Sequence, residues 1–230
     1  MRARAVVFDF NGTLSDDEPI LYGVYAGLFA AHGRPLTRTQ YLATLAGLSE
    51  HEIVHAWLGE RDDLEEIVRE RIRRYREAVT DGATVGTAMR AAVTYAAARV
   101  PVAIVSGATR SEIEPVLAEA GLAGAFHAIV DGEDVAYGKP HPEGYQIALA
   151  KLRGVVPDLE PAEVTAFEDT EAGVLSAKAA GLRCIALART LPPDRLAAAD
   201  EIVDAIDEPL LRRAIAGPGT QLRGQASPRA

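Results

Sequence analysis

Val6-Val7-Phe8-Asp9-Phe10-Asn11-Gly12-Thr13-Leu14 begins apolar and stops at a charge. The run Val6 to Phe8 suits a short strand buried on both faces of a parallel sheet, where β-branched and aromatic side chains pack without polar interruption. Asp9 closes the run, and Asn11-Gly12 follows as a strong turn signal. A carboxylate at the end of a buried strand costs free energy unless it is hydrogen-bonded, holds a metal or takes part in chemistry. In open α/β sheets that edge is also where ligands bind. Taken alone, the stretch is equally compatible with a solvated turn aspartate, so its meaning depends on the rest of the chain.

Outward from Leu14 the pattern changes period. After the polar segment Ser15-Asp16-Asp17-Glu18-Pro19, residues 20–80 read as helices throughout. Leu21, Val24, Tyr25, Leu28 and Phe29 recur at helical spacing, and Gly33-Arg34-Pro35 ends that helix. Thr37 or Thr39 can cap the next one, and Ser49 with Glu52 has the spacing of a capping box. Residues 64–79 are dense in Arg and Glu and read as a solvated amphipathic helix. From Thr84 strands and helices alternate. Strands are expected at 102–105, 128–130, 164–167, 183–187 and 201–203, with a capping box placed at Ser111 to Glu114. Alternation of this kind implies a parallel sheet with crossover helices. The fold class is therefore α/β, a Rossmann-like core of residues 1–16 and 82–214, with an all-helical insertion at 17–81 and a loose, Gly- and Pro-rich tail at 215–230.

Composition narrows the functions. The chain has 230 residues, of which 48% are hydrophobic, enough for a core without staples. A net charge of -9 with no basic cluster excludes a nucleic-acid footprint. It leaves room for a phosphorylated substrate, because a metal can supply positive charge locally. Cys184 is the only cysteine, which excludes an internal disulfide and a cysteine metal cage, and its apolar surroundings mark it as a buried strand thiol. No signal-peptide pattern and no membrane-length apolar run is present, so the expectation is a soluble cytoplasmic protein, monomer or homodimer, with no membrane partner.

The strand ends carry the chemistry. Asp9, Ser106 and Glu168-Asp169 each follow an apolar run, and Lys139 precedes a helix close to the third strand. In a parallel sheet these ends share one edge. Carboxylates from two strands repel there unless a hard cation holds them, and oxygen ligands with substrate phosphate suit Mg²⁺. Ser106 and the following backbone N–H groups can donate to phosphate, Lys139 can neutralise it, and Asp9 can attack phosphorus. Separately, each has a commoner reading: Ser106 as a helix cap, Lys139 as a surface turn residue.

Asp9-Phe10-Asn11-Gly12-Thr13, Ser106-Gly107, Gly138-Lys139-Pro140 and Glu168-Asp169-Thr170-Glu171-Ala172-Gly173 resemble, in order, the four motifs of the haloacid dehalogenase-like (HAD) hydrolases. The closest resemblance is to the phosphatase and beta-phosphoglucomutase-like branch, whose alpha-helical cap the insertion resembles. The resemblance implies that Asp9 is the nucleophile and forms an aspartyl phosphate. It implies Mg²⁺ held by Asp9, the main-chain carbonyl of Asn11, Asp169 and the adjacent Glu168. It implies phosphate binding by Ser106, Gly107 and Lys139. The implied function is hydrolysis of a small phosphorylated metabolite.

One position departs from the pattern. Most phosphatases of this family carry Asp where this chain has Asn11, acting as general acid and then base. An amide can do neither, so the alternative is a slow or inactive relative that binds a phosphorylated ligand. Asp16 or Asp17 can stand in by proximity in sequence. Other branches fit less well. Phosphonoacetaldehyde hydrolases need a cap lysine, and the only lysines are Lys139, Lys151 and Lys178. Dehalogenases do not need the acidic pair. Beta-phosphoglucomutases carry a cap His and an Arg at positions that match Leu21 and Glu50 here. Tyr22, Tyr25, His51, His55 and Trp57 are candidate substrate contacts, and residues 15–16 and 81–83 candidate hinges.

Overall fold

A computed structural model describes residues 2–217. The opening stretch forms β1 (Ala5–Phe8), every residue of it buried. With β2 (Val102–Val105), β3 (Ala128–Val130), β4 (Val164–Glu168), β5 (Arg183–Leu187) and β6 (Glu201–Val203) it makes a parallel sheet in the order β3-β2-β1-β4-β5-β6. β1 sits in the interior because it is apolar on both faces. Val6 and Phe8 enter one buried cluster, while Ala5 and Val7 enter the other. Phe8 lies beside Ile104 and Phe167, and its ring stacks on Phe167 with centroids 5.0 Å apart. Asp9, Ser106, Glu168 and Asp169 follow within two residues of that rung, so the register gathers them at one edge.

Between β1 and α5 (Thr87–Ala97) the chain makes α1 (Glu18–Ala31), α2 (Arg38–Thr44), α3 (Glu50–Leu58) and α4 (Leu64–Ala78). Among the described residues no strand from 17–81 joins the sheet. α6 (Arg110–Glu119), α7 (Glu143–Arg153), α8 (Glu171–Ala179) and α9 (Glu208–Ala216) complete the helices. Residues of α5, α6 and α9 share one apolar cluster with residues of α1 to α4, whereas α7 and α8 cover the other face of the sheet. Thr37 and Ser49 form capping boxes with Gln40 and Glu52.

One expectation is corrected. The box of α6 is Thr109 with Glu112, two residues earlier than Ser111 with Glu114, because Thr109 is the last extended residue before the helix. α4 is amphipathic as expected, with Glu65, Glu66, Arg69 and Arg73 exposed, and its buried stripe of Ile67, Val68, Arg71 and Tyr75 faces α1, α3 and α6 and carries one charge inward. The tail expected at 215–230 lies outside the described residues apart from its first three, two of which end α9. Among the described residues no helix is long and apolar enough to cross a membrane.

Candidate active site

The floor of the site is the sheet edge. Lys139 Nζ lies 2.6 Å from Asp9 Oδ1 and 2.6 Å from Glu168 Oε1, and it also donates to the Val105 carbonyl at 3.2 Å. Tyr145, from α7, donates its hydroxyl to the same Glu168 oxygen at 2.5 Å. Asp169 accepts from Thr13 Oγ1 at 3.2 Å and from the Thr190 hydroxyl. Two glycines make this packing possible. A Cβ on Gly12, which sits at φ +75°, would fall 1.9 Å from Asp169 Oδ2. A Cβ on Gly173 would fall 1.9 Å from Glu168 Oε2. Small residues at positions 12 and 173 therefore let two carboxylates turn inward beside backbone.

The charge balance on this floor is uneven. Asp9, Glu168 and Asp169 each bring a ligand oxygen within 4.8 Å of the others, all three are buried, and Lys139 is the cation bonded among them. Burial pushes the Asp9 carboxyl up against the opposing Lys139 charge. Burial pushes Glu168 up to about 7, again against Lys139 and with Asp9 adding to the rise. Burial, then Asp9 and other carboxylates, raise Asp169 well above its ordinary range. Burial opposes the Lys139 charge, yet Asp9 and Glu168 outweigh it and raise the ammonium above its usual value. Three crowded carboxylates with one cation and all-oxygen donors suit a hard divalent ion such as Mg²⁺. Glu168 Oε2 is buried and without a hydrogen-bond partner.

Ser106 and Gly107, directly after β2, line the cavity above Asp9 and Lys139. Ser106 Oγ accepts from the Ala108 N–H at 3.1 Å, which leaves its own proton free to donate. Asn11 lines the same cavity. Its Nδ2 donates to Asp17 Oδ2 at 2.9 Å and lies 3.3 Å from the Tyr75 hydroxyl. Asp17 is fully buried and also accepts from Tyr75 Oη at 2.5 Å and from the Gly12 N–H at 3.0 Å. Burial lifts its carboxyl to about 6, while hydrogen bonds from Tyr75, Ser15, Asn11 and Gly12 oppose the rise. Of the two candidate stand-ins, Asp17 thus reaches Asn11, whereas Asp16 is exposed and pairs with Arg189 at 3.3 Å.

The opposite wall comes from the helical insertion. Leu21, Tyr25, Tyr41, Glu50 and Arg71 line the cavity with Glu18 at the start of α1. Arg71 is the centre of this wall. Its Nη1 bonds Glu112 of α6 and lies 3.3 Å from Glu50 of α3, and its guanidinium sits 5.2 Å from the ring centroids of both Tyr25 and Tyr75. Of the candidate cap contacts only Tyr25 faces the cavity. Tyr22 bonds the Leu36 carbonyl at 3.4 Å, His51 pairs with Glu65 at 3.0 Å, Trp57 bonds the Arg34 carbonyl at 2.9 Å, and His55 is exposed. Sequence reasoning missed Arg71, Glu18 and Tyr145, and named Asp17 without separating it from Asp16. The stripe Ile67, Val68, Arg71, Tyr75 was the available signal for the first, because it sets a charge inside an apolar face.

Along most of its length the chain is similar to known proteins. A family model described as haloacid dehalogenase-like hydrolase matches residues 3–181. The chain is 30% identical over 210 residues to a validoxylamine A 7'-phosphate phosphatase of Streptomyces hygroscopicus subsp. limoneus, covering 89% of this chain and 95% of that protein. It is 30% identical to a phosphorylated carbohydrates phosphatase of Thermotoga maritima, over 79% of this chain and 83% of that one. CbbY of Rhodobacter sphaeroides, solved in complex with xylulose-(1,5)bisphosphate, matches with a TM-score of 0.78 at 26% identity, covering 89% and 95% of the two chains.

Proposed function

The chain belongs to the haloacid dehalogenase-like hydrolases, in their phosphatase and beta-phosphoglucomutase-like branch, and from that premise we propose a magnesium-dependent phosphohydrolase acting on a small phosphorylated metabolite of the cytoplasm. The observation that carries this reading is Lys139 bridging Asp9 and Glu168 at 2.6 Å beside the third carboxylate, Asp169. Asp9 attacks phosphorus, the ester P–O bond breaks, and the leaving oxygen departs with the bonding pair and takes its proton from solvent. Water then attacks phosphorus of the aspartyl phosphate, giving up a proton to solvent, freeing inorganic phosphate and restoring Asp9. Lys139 lowers the repulsion between an incoming phosphate dianion and the Asp9 carboxylate. Ser106 Oγ and the Gly107 N–H hold the phosphate oxygens. Asp9, the Asn11 carbonyl and Asp169, with Glu168 beside them, are the groups that would hold Mg²⁺, which when bound supplies the positive charge this floor lacks. Asn11, whose amide N–H groups are held by Asp17 and Tyr75, transfers no proton.

Retention of nucleophile, lysine and acidic pair supports turnover over ligand binding alone. The test is hydrolysis of p-nitrophenyl phosphate. Activity should require Mg²⁺, vanish with a chelator and return when the ion is restored. Intact-mass measurement on rapidly quenched enzyme should show one added phosphoryl group, absent in Asp9→Asn. Metal-independent activity, or a phosphoryl adduct surviving in Asp9→Asn, would refute the assignment.

A further inference from the structure

The loop after β5 reaches both halves of the expected metal site, and the reaction described above leaves it without a part. Ala188 donates its N–H to the Val203 carbonyl at 2.9 Å, and Arg189 donates its own to the Leu187 carbonyl at 2.9 Å, so the loop stands directly on the sheet. From this footing Arg189 Nη2 donates to the Gly12 carbonyl at 2.6 Å and to the Thr13 carbonyl at 3.3 Å. Its Nη1 lies 3.3 Å from Asp16 Oδ2. The next residue, Thr190, donates its hydroxyl to Asp169 Oδ2. Neither residue belongs to the four stretches that carry the family resemblance. We propose that Arg189 and Thr190 are positioning residues: they hold the turn after Asp9 and the Asp169 carboxylate in one fixed arrangement, which makes the site favour Mg²⁺ over the larger Ca²⁺. The proposal rests on the magnesium-dependent reading above and specifies what gives that site its ion preference.

Asp169 is held at both oxygens. Oδ1 accepts from Thr13 Oγ1 at 3.2 Å and Oδ2 accepts from Thr190, and all three residues are buried. Hydroxyls are neutral donors, so they fix the rotation of the carboxylate and leave its charge available to a cation. Lys139, by contrast, brings a full charge to Asp9 and Glu168. Thr13 in turn depends on Arg189, because the guanidinium holds the carbonyls of the two peptide groups that flank the Thr13 Cα. The Asn11 carbonyl lies one peptide earlier in the same turn. Gly12 lets these parts meet: a Cβ there would fall 2.9 Å from Thr190 Oγ1 and 1.9 Å from Asp169 Oδ2.

Rigidity of this kind bears unequally on the two ions. Mg²⁺ demands near-ideal octahedral geometry at about 2.0–2.1 Å, whereas Ca²⁺ accepts about six to eight oxygens at about 2.3–2.6 Å in flexible arrangements. Loosening either the carboxylate or the turn therefore costs Mg²⁺ more than Ca²⁺. Hydrogen-bond partners of metal ligands contribute about 10–100-fold to metal affinity. Arg189 also separates positioning from charge by sign. A guanidinium repels a nearby metal ion, so on charge alone its removal would tighten binding. On positioning its removal frees the turn and weakens binding.

The experiment measures ion binding to the full-length protein with no substrate present. Titration with Mn²⁺, followed by electron paramagnetic resonance of the free ion, gives one Kd, and displacement by Mg²⁺ or Ca²⁺ gives the other two. Thr190→Val keeps the shape of the side chain and loses its hydroxyl. It should raise the Kd for Mg²⁺ by at least about tenfold and that for Ca²⁺ by less than about threefold, and Thr190→Ser should restore the parent ratio. Arg189→Met should weaken Mg²⁺ by at least about fivefold, and Arg189→Lys, which keeps the charge but lacks the planar fork, should not recover it. Thermal denaturation of the metal-free proteins is the control: a purely structural role lowers the midpoint and leaves the Mg²⁺-to-Ca²⁺ ratio at its parent value. Should Thr190→Val not fold, the two Arg189 variants read the same ratio. Unchanged constants in Thr190→Val, or tighter Mg²⁺ binding in Arg189→Met, would overturn the proposal. A parent protein that binds none of the three ions refutes the metal site and this proposal with it. Parent protein that binds Mg²⁺ more tightly than Ca²⁺ but does not hydrolyse p-nitrophenyl phosphate refutes the phosphohydrolase reading alone, and the variants still decide the roles of Arg189 and Thr190.

Discussion

Two buried cations face each other across the cavity, and each is claimed by two carboxylates. On the floor Lys139 bridges Asp9 and Glu168; on the opposite wall Arg71 bridges Glu112 and Glu50. The difference lies in what surrounds them. Lys139 sits beside a third carboxylate, Asp169, so the floor keeps surplus negative charge and invites a metal ion. Arg71 is sandwiched between tyrosine rings and ties α3 and α4 to α6, so its charge is spent on holding the insertion against the sheet-bearing part. A compact ammonium suits the first role and a planar, always-charged fork the second. One arrangement of charges thus serves chemistry in one place and closure in the other, depending on whether the carboxylates are in excess.

The largest expected effect comes from breaking the floor. Asp9→Asn removes the nucleophile while preserving size, and phosphate release should fall by on the order of 10⁴-fold or more. Folding should survive, because Lys139 keeps Glu168. Steady-state assays with circular dichroism as control check this; activity within tenfold of the parent would mean that another group attacks phosphorus.

Breaking the wall should show in stability. Arg71→Met strands Glu50 and Glu112 in a buried site, and removing one partner of a buried ion pair costs about 3–5 kcal/mol. Adding Glu112→Gln should recover part of that loss, since it removes one stranded charge. Urea denaturation measures both. A loss below about 1 kcal/mol would show that the arginine contributes no net closure.

The contrast between floor and wall also separates what was legible in the sequence from what was not. Asp9, Ser106 and Glu168-Asp169 stand at the ends of apolar runs, and in a parallel sheet strand ends must converge, so periodicity and position were enough to draw them together, while Lys139 was legible from its place in a loop before a helix. Fold class follows from the same alternation. The wall comes from helices, where the face presented depends on packing between elements far apart in sequence. Glu50, Arg71 and Glu112 are 21 and 41 residues apart in sequence, and nothing local says that one guanidinium meets both acids. The abundance of Arg and Glu in α4 pointed to solvent, because the composition of a helix does not reveal which stripe is buried. Asp17 was similarly hidden: two adjacent aspartates look alike until the backbone turns one inward to the Gly12 N–H and the other out to Arg189.

Asp17 provides a pH test of that buried turn. Its carboxyl is pushed up to about 6 from an ordinary 3.8, chiefly by burial. The folded protein therefore keeps this proton to higher pH than the unfolded chain does. Stability from this group is fully present below the unfolded value and is lost as pH rises through the folded one. At 1.36 kcal/mol per pKa unit the loss is about 3 kcal/mol between pH ~4 and ~6. Asp17→Asn should remove that slope, so parent and variant curves from urea denaturation should converge or cross with pH rather than run parallel. Parallel curves would place the titration elsewhere.

The smallest effect concerns Asn11, where floor and wall meet. Its amide donates to Asp17, so the side chain is positioned but carries no transferable proton. An alkyl phosphate leaves as an alkoxide unless a proton reaches it, and a placed acid contributes about 10²–10⁴-fold to such a step. Asn11→Asp would set a second carboxyl at hydrogen-bond distance from Asp17. Two acids so close cannot both ionise, so one of them retains a proton near neutral pH, which is the state a general acid needs. Turnover of an alkyl phosphate should therefore rise by at least about tenfold, and of an aryl phosphate, whose leaving group needs little help, by less than about threefold. Asn-Gly sequences deamidate, so the parent must be freshly prepared and its mass verified before low activity is credited to Asn11. Should fresh parent protein cleave the alkyl ester as fast as Asn11→Asp does, the proton comes from elsewhere. Glu18 is then the group to replace, since its carboxyl lines the same cavity, is raised to about 8 by burial and by Asp17, and has an oxygen bonded to nothing in the protein.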